Sequence, residues 1–274
     1  MASIQGYLRR SKMPHIWCAG CGHGIVMGCL IRAIDRVGLD KNRTVIVSGI
    51  GCSSRAPGYM DFDTLHTTHG RALAFATGVK MANPSLNVIV IAGDGDLAAI
   101  GGNHLIHAAR RNIRIATVCF DNSTYGMTSG QYSPMTPTGK FASTAPYGNI
   151  DRPFDLCELA KGAGATYVAR GTTYHASLTV NLIAKALEHN GFAFVDVLSQ
   201  CPTYYGRRNK LGGAVEMMKW YKDNAVPVQA ARQSPEPLPP GRFMIGELFT
   251  VTAPEYTDEY AGVLERARER ETRA

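Results

Sequence analysis

The chain of 274 residues contains no apolar run approaching the roughly 20 residues that span a bilayer. Its amino terminus also lacks the apolar core and small-residue cleavage site of a secretory signal, so a cytoplasmic protein with no membrane partner is expected. Charged residues are few, 19% against 45% hydrophobic, which excludes a disordered chain and leaves apolar content for one large core or two small ones. No disulfide framework is present either. The seven cysteines are scattered, and in a reducing compartment a Cys-x-x-Cys pair points to metal or redox chemistry. The net charge is +7, but the basic groups around Arg9-Arg10, Arg207-Arg208 and the last ten residues carry no interleaved aromatics of a nucleic-acid module. No nucleic-acid partner is expected; the same excess would steer an acidic protein or an anionic substrate.

What is present centres on Gly93-Asp94-Gly95-Asp96 and, further on, Asn122-Ser123-Thr124-Tyr125-Gly126. Apolar runs precede both, Val88 to Ala92 and Ile115 to Phe120, with the length and β-branched content of strands buried on both faces. The two polar clusters therefore fall at carboxyl ends of strands, where open α/β sheets place their ligands. Glycine lets the backbone approach a phosphate closely. Asp94, the Asn122 side chain and a carbonyl at Thr124 offer hard oxygens to a small divalent cation. The pattern reads as a cradle for Mg²⁺ and a diphosphate.

Gly-Asp-Gly, 26 intervening residues and then Asn resembles the signature of thiamine-diphosphate enzymes. That resemblance implies a thiamine-diphosphate-binding α/β fold, with a doubly wound, mostly parallel sheet and helices on both faces. The alternating strand and helix patterns point the same way: helix Ile25 to Val37, strand Thr44 to Ser48, helix Asp155 to Ala163, strand Tyr167 to Ala169, helix His175 to Glu188 and strand Phe192 to Leu198. From Tyr132 to Pro153 the chain is a long polar loop, of a kind that is often functional.

Cys18 and Cys21 lie in a Gly-rich turn before a helix; two intervening residues let both sulfurs face one metal. Cys52 and Cys201 each follow an apolar strand, so the four thiols can converge at one sheet edge. Taken alone, such a set fits structural zinc, redox disulfides or an iron–sulfur cluster. Cys29, Cys119 and Cys157 sit inside apolar patterns and read as small buried hydrophobes.

The spacing Cys-x2-Cys-x30-Cys, with a fourth after a further 148 residues, resembles the β subunit of 2-oxoacid:ferredoxin oxidoreductases. The similarity runs from about Trp17 to about Tyr221 and includes His66-Thr67-Thr68-His69-Gly70-Arg71, Gly101-Gly102-Asn103-His104 and Ser133-Pro134-Met135-Thr136-Pro137. The segments Ser199 to Asn209 and Ala145 to Ile150 look most like the 2-oxoglutarate-using branch.

What the resemblance implies is specific. Cys18, Cys21, Cys52 and Cys201 would hold a [4Fe–4S] cluster; Asp94, Asn122 and the Thr124 carbonyl would hold Mg²⁺; Ile50, Gly51, Cys52, Ser53, His69, Gly95, Asp96, Gly126 and Met127 would line thiamine diphosphate. Arg55 would meet the distal carboxylate of a dicarboxylic 2-oxoacid. Apart from the resemblance, the closeness of His23 to the cysteine loop makes it a candidate proton carrier in the site, with an ordinary structural histidine as the alternative. The implied reaction is coenzyme A-dependent oxidative decarboxylation of 2-oxoglutarate to succinyl-CoA and CO₂, or its reverse, with electrons passed to ferredoxin. Pyruvate is the alternative substrate, and a non-redox thiamine decarboxylase or a binding module with structural zinc the alternative classes. Thiamine enzymes need a glutamate from a pyrimidine-binding domain for which this chain is too short, which implies an α subunit in an αβ or α2β2 assembly. The residues alone leave bland alternatives open: His69 as the cap of the following helix, Met127 as core, His104 and His107 as ordinary helix residues. Residues 1–224 are expected to form the diphosphate-binding domain with its cluster site, and 225–274 a linker and a charged helical extension packed on the partner subunit.

Overall fold

The β-branched runs and amphipathic stretches alternate, and the computed structural model, which describes residues 4–234 and 236–273, folds them into an open α/β sheet. In chain order the elements begin with α1 (His23–Val37), β1 (Thr44–Ser48), α2 (Ala56–Tyr59), β2 (Asp63–His66), α3 (Ala72–Ala82) and β3 (Asn87–Gly93). They continue with α4 (Asp94–Ala98), α5 (Gly102–Arg111), β4 (Ala116–Asp121), β5 (Thr124–Tyr125), β6 (Gln131–Tyr132), α6 (Leu156–Gly162) and β7 (Tyr167–Thr172). The last are α7 (Ala176–Glu188), β8 (Ala193–Leu198), α8 (Ala214–Asn224), β9 (Ala225–Pro227), α9 (Val228–Gln233), β10 (Phe243–Thr250) and α10 (Tyr256–Arg273).

The main sheet has the order β2-β1-β3-β4-β8-β7-β10-β9, and β5 pairs with β6 in a separate ribbon. Neighbours in the main sheet run parallel except β10, which is antiparallel to β7. Helices cover both faces. One core cluster joins α1 and α7 to the sheet through Leu30, Ile31, Ile34 and Ile183; the other joins α3, α5 and α6 through Leu73, Leu105 and Leu156. Each such side chain, withdrawn from water, contributes about 1.5–3 kcal/mol. Cys29, Cys119 and Cys157 are buried within these clusters.

The register matters more than the element count. Gly93 pairs with Phe120 and Asp121 with Leu198, so β3, β4 and β8 end together at one edge. Ser199 N donates to Asp121 O at 2.7 Å and holds the chain that leads to Cys201 against the end of β4. The sheet order turns back between β1 and β3, and there the polar clusters gather.

Residues 225–242, expected as a linker, contain a short strand and a helix, and β10 beyond them extends the sheet alongside β7. Glu255 then fastens the approach to α10, its Oε1 accepting from Arg114 N at 2.7 Å and its Oε2 from Asp258 N at 3.0 Å. The charged helix expected at the end is α10, in which Thr257 is buried and most other residues are exposed. Among the described residues no helix is long and apolar enough to cross a membrane.

Candidate active site

Asp94 leaves β3 directly into α4 and is buried, while Asn122 follows β4 by one residue. Ser123 then takes a left-handed φ of 56°, which lets Thr124 N donate to Asn122 Oδ1 at 3.2 Å. Asp94, Asn122 and Thr124 line one cleft. The turn after β1 adds Ile50, Gly51, Cys52 and Ser53 to its wall; His69, Gly95, Asp96, Gly126 and Met127 complete the residues expected there, and His23 lies at its base.

Glycine lets cleft side chains pack directly against the backbone at two points. A Cβ on Gly95 would stand 2.3 Å from the Tyr125 ring, and one on Gly49 would stand 2.0 Å from Asp96 Oδ2. Both approaches are closer than real side chains tolerate.

The electrostatics favour a cation. Burial pushes the Asp94 carboxyl up to about 7, opposed by the Ser133 hydroxyl and by backbone N–H groups of Gly95 and Asp94. A carboxylate so withdrawn from water is costly to ionise unless a positive charge meets it. Polar atoms nearby also lack partners: Asp96 Oδ2, Ser53 Oγ and Ser54 Oγ are buried without a hydrogen bond. Asp96 Oδ1, by contrast, accepts from Gly70 N at 2.6 Å and pairs with His69 Nδ1. The donor set thus fits a divalent cation and a polar, phosphate-bearing ligand.

His69 does not cap the helix that follows it, since α3 has no side-chain cap and the ring is committed to Asp96. Met127 is cleft wall rather than core, at 47% exposure. His104 and His107 lie on α5 outside the cleft. His23 Nδ1 lies 3.0 Å from Ser199 Oγ and Nε2 lies 3.5 Å from Asn122 Nδ2. Ser199 Oγ also donates to Asp121 O at 3.3 Å, and burial pushes His23 down to about 4. A neutral ring bonded on both sides orients its neighbours and is badly placed to shuttle protons near neutral pH.

The four cysteines expected to act together do lie near one another. Burial pushes the Cys21 thiol up to about 12; the His23 backbone N–H opposes this, and the charges of Cys201, Cys52 and Cys18 add to it. Cys52 is raised to about 11, by burial first and then by Cys201, Cys18 and Asp94. N–H groups of Tyr205 and Tyr204, in the π-helical turn Pro202–Gly206, point at the Cys201 sulfur. Gathered thiols that are expensive to ionise call for a bound metal to hold them as thiolates. Among the described residues no three His, Cys, Asp or Glu side chains draw together tightly enough for a single ion.

Arg55 does not line the cleft: it follows Cys52 in a short 3₁₀ turn, with Nη2 3.4 Å from His66 Nε2. Among the described residues it has no carboxylate partner, so its charge is free to meet an anion. Three residues with structural roles at the site carried no role in the sequence reading. Ser133 Oγ donates to Asp94 Oδ2, Ser199 holds His23, and Trp17 Nε1 donates to Cys52 O at 2.7 Å. Ser133 lay within a noted motif, and the order Trp17-Cys18 was the signal for the last.

Residues 49–197 match the family model of the C-terminal, thiamine pyrophosphate-binding domain of thiamine pyrophosphate enzymes. A 2-oxoglutarate synthase subunit KorB of Methanothermobacter marburgensis is 53% identical over 94% of this chain and 91% of its own length. A protein of the same name from Methanocaldococcus jannaschii is 50% identical over 96% of this chain and 97% of its own. Among solved structures, the 2-oxoglutarate:ferredoxin oxidoreductase of Magnetococcus marinus, with 2-oxoglutarate, coenzyme A and succinyl-CoA bound, aligns with a TM-score of 0.86 at 36% identity. That alignment covers 96% of this chain and 90% of the other.

Proposed function

Because the chain belongs to the β subunits of 2-oxoacid:ferredoxin oxidoreductases, in the 2-oxoglutarate synthase branch, we propose that it converts 2-oxoglutarate and coenzyme A to succinyl-CoA and CO₂ and passes the electrons to ferredoxin, or runs the reverse. The observation that carries this reading is the single cleft in which buried Asp94 and Asn122, at the ends of adjacent strands, face a turn bearing Cys52.

Bound thiamine diphosphate supplies the carbanion chemistry of decarboxylation, and a [4Fe–4S] cluster supplies single-electron acceptance. The protein's own part is placement. Asp94, the Asn122 side chain and the Thr124 carbonyl would hold Mg²⁺; Gly95 and Gly126 would present backbone to the diphosphate, and Asp96, His69 and Ser53 would direct polar groups along it. Cys18, Cys21, Cys52 and Cys201 hold the cluster, with Cys52 belonging to both walls. Arg55, one turn beyond Cys52 and outside the cleft wall, is assigned the distal carboxylate of a dicarboxylic substrate because its only side-chain partner among the described residues is His66.

The chain works with an α subunit, in an αβ or α2β2 assembly, which supplies the pyrimidine-activating glutamate. Ile50 and Met127 support this, for both are 47% exposed although both are apolar and line the cleft. A partner laid across the mouth would cover them. Residues 1–224 form the catalytic body, and α10 clasps the same partner.

Co-producing the chain with its α subunit and assaying anaerobic ferredoxin reduction tests the reading. Reduction that requires 2-oxoglutarate, coenzyme A and thiamine diphosphate together is expected. Carbon dioxide release without an electron acceptor would overturn it in favour of a non-redox decarboxylase.

A further inference from the structure

The Ser133-Pro134-Met135-Thr136 turn lies at the start of the long loop, yet Ser133 and Thr136 are each only 1% exposed. The hydrogen bonds of Ser133 account for its hydroxyl completely. Met135 N donates to Ser133 Oγ at 3.2 Å, so the hydroxyl proton is left to Asp94 Oδ2. Ser133 N in turn donates to Thr136 Oγ1 at 2.9 Å, and Thr136 Oγ1 donates to Ser123 O at 2.6 Å, on the residue between Asn122 and Thr124. Asn149 Nδ2 donates to Thr136 O at 2.8 Å and anchors the turn to the far end of the loop. The turn is therefore braced from both sides while it holds Asp94.

We propose that Ser133 is a positioning residue that makes Asp94 a one-oxygen ligand and so biases the diphosphate cleft towards a small, six-coordinate cation. This rests on the reading above that the cleft binds a metal-bound thiamine diphosphate. A hydroxyl donor fixed on Oδ2 sets the plane of the carboxylate and engages that oxygen, which disfavours a cation held by both. Mg²⁺ suits that arrangement, because it takes one oxygen from each carboxylate in tight octahedral geometry, with phosphate oxygens and water in the other positions. Ca²⁺ is larger and accepts carboxylates through both oxygens. Removing the hydroxyl frees Oδ2 and favours the larger ion.

The test measures thiamine diphosphate binding by calorimetry in the co-produced αβ complex, with Mg²⁺ or Ca²⁺ titrated separately. In Ser133→Ala the Mg²⁺ concentration needed for half-saturation is expected to rise about tenfold or more, the usual cost of losing a partner that orients a metal ligand. The Ca²⁺ requirement should change much less, so the Mg²⁺ preference falls, and Ser133→Thr, which keeps the hydroxyl, should restore it. Equal weakening with both ions would reduce Ser133 to a structural role, and no change with either ion would also overturn the proposal. If Ser133→Ala does not fold, Ser133→Cys, with a weaker donor of similar size, is expected to shift the preference in the same direction. Failure of the parent complex to bind thiamine diphosphate with any divalent ion would instead overturn the functional reading itself.

Discussion

Trp17 Nε1 donates a 2.7 Å hydrogen bond to the carbonyl of Cys52 and ties the turn that carries Cys18 and Cys21 to the turn after β1. The indole is 8% exposed and meets Tyr59 edge-on at 5.4 Å and His23 at 6.0 Å. Two cysteine-bearing segments 35 residues apart are thus set by one side chain.

Trp17→Phe keeps much of the packing and deletes the bond. A net loss of about 1 kcal/mol is expected. Iron should leave the variant roughly fivefold faster under chelator, as that energy implies if the bond resists opening of the cluster site. Unchanged iron release would contradict the assigned role.

Asp94→Asn removes the buried charge on which the cation depends. The parent complex should gain about 2.7 kcal/mol of stability when thiamine diphosphate and Mg²⁺ stand at 100 times their dissociation constant. The variant should gain almost nothing. Equal thermal shifts in both proteins would exclude Asp94 as a cation ligand.

Arg55→Leu tests substrate choice. Loss of a charge-assisted hydrogen bond corresponds to roughly a tenfold to hundredfold fall in kcat/KM for 2-oxoglutarate relative to pyruvate. A preserved ratio would remove Arg55 from the substrate site and leave it as a partner of His66 alone.

Arg170 joins buried Asp196, at 2.9 Å, to Asp155 at the start of α6, at 2.6 Å. Burial raises the Asp155 carboxyl, but the Arg170 charge and hydrogen bond, with the Glu158 and Cys157 N–H groups, outweigh it and hold the group below its ordinary 3.8. A lowered pKa means that the ionised form is the stabilising one. Its contribution is complete above about 3.8 and disappears as pH falls through the lower, folded value. Asp155→Asn, which retains a capping side chain, should therefore melt below the parent at pH 7, and the gap should close in strongly acidic solution. A gap of constant size down to pH 2 would contradict the account.

Much of this was legible in the sequence, and the reasons are physical. Strands β1, β3, β4 and β8 are buried on both faces and so wrote themselves as mainly apolar runs, although β8 carries Asp196 in its middle. The strand β7 was read three residues too short, because Arg170 and Thr172 look polar in the sequence although Arg170 is neutralised by Asp196 inside the sheet. β10 escaped notice for a different reason: it is half exposed, carries Gly246 at φ 117° and shifts register between Glu247 and Phe249, so no alternation survives. At the site, residue types at fixed spacing singled out Asp94, Asn122 and four cysteines, and the fold brings Asp94, Asn122 and Cys52 to one cleft with the other three thiols near Cys52. The hydroxyls of Ser133 and Ser199 were not legible, because their value lies in partners 39 and 176 residues away.

The central claim is that four cysteines beside the diphosphate cleft hold a redox cluster, and metal analysis of the anaerobically purified αβ complex, followed by its visible spectrum, tests it most directly. The account predicts iron and sulfide at four each per cluster on Cys18, Cys21, Cys52 and Cys201, with a brown absorption that bleaches when 2-oxoglutarate, thiamine diphosphate, Mg²⁺ and coenzyme A are added. A colourless complex holding about one zinc at those cysteines, with no spectral response to substrate, would contradict it.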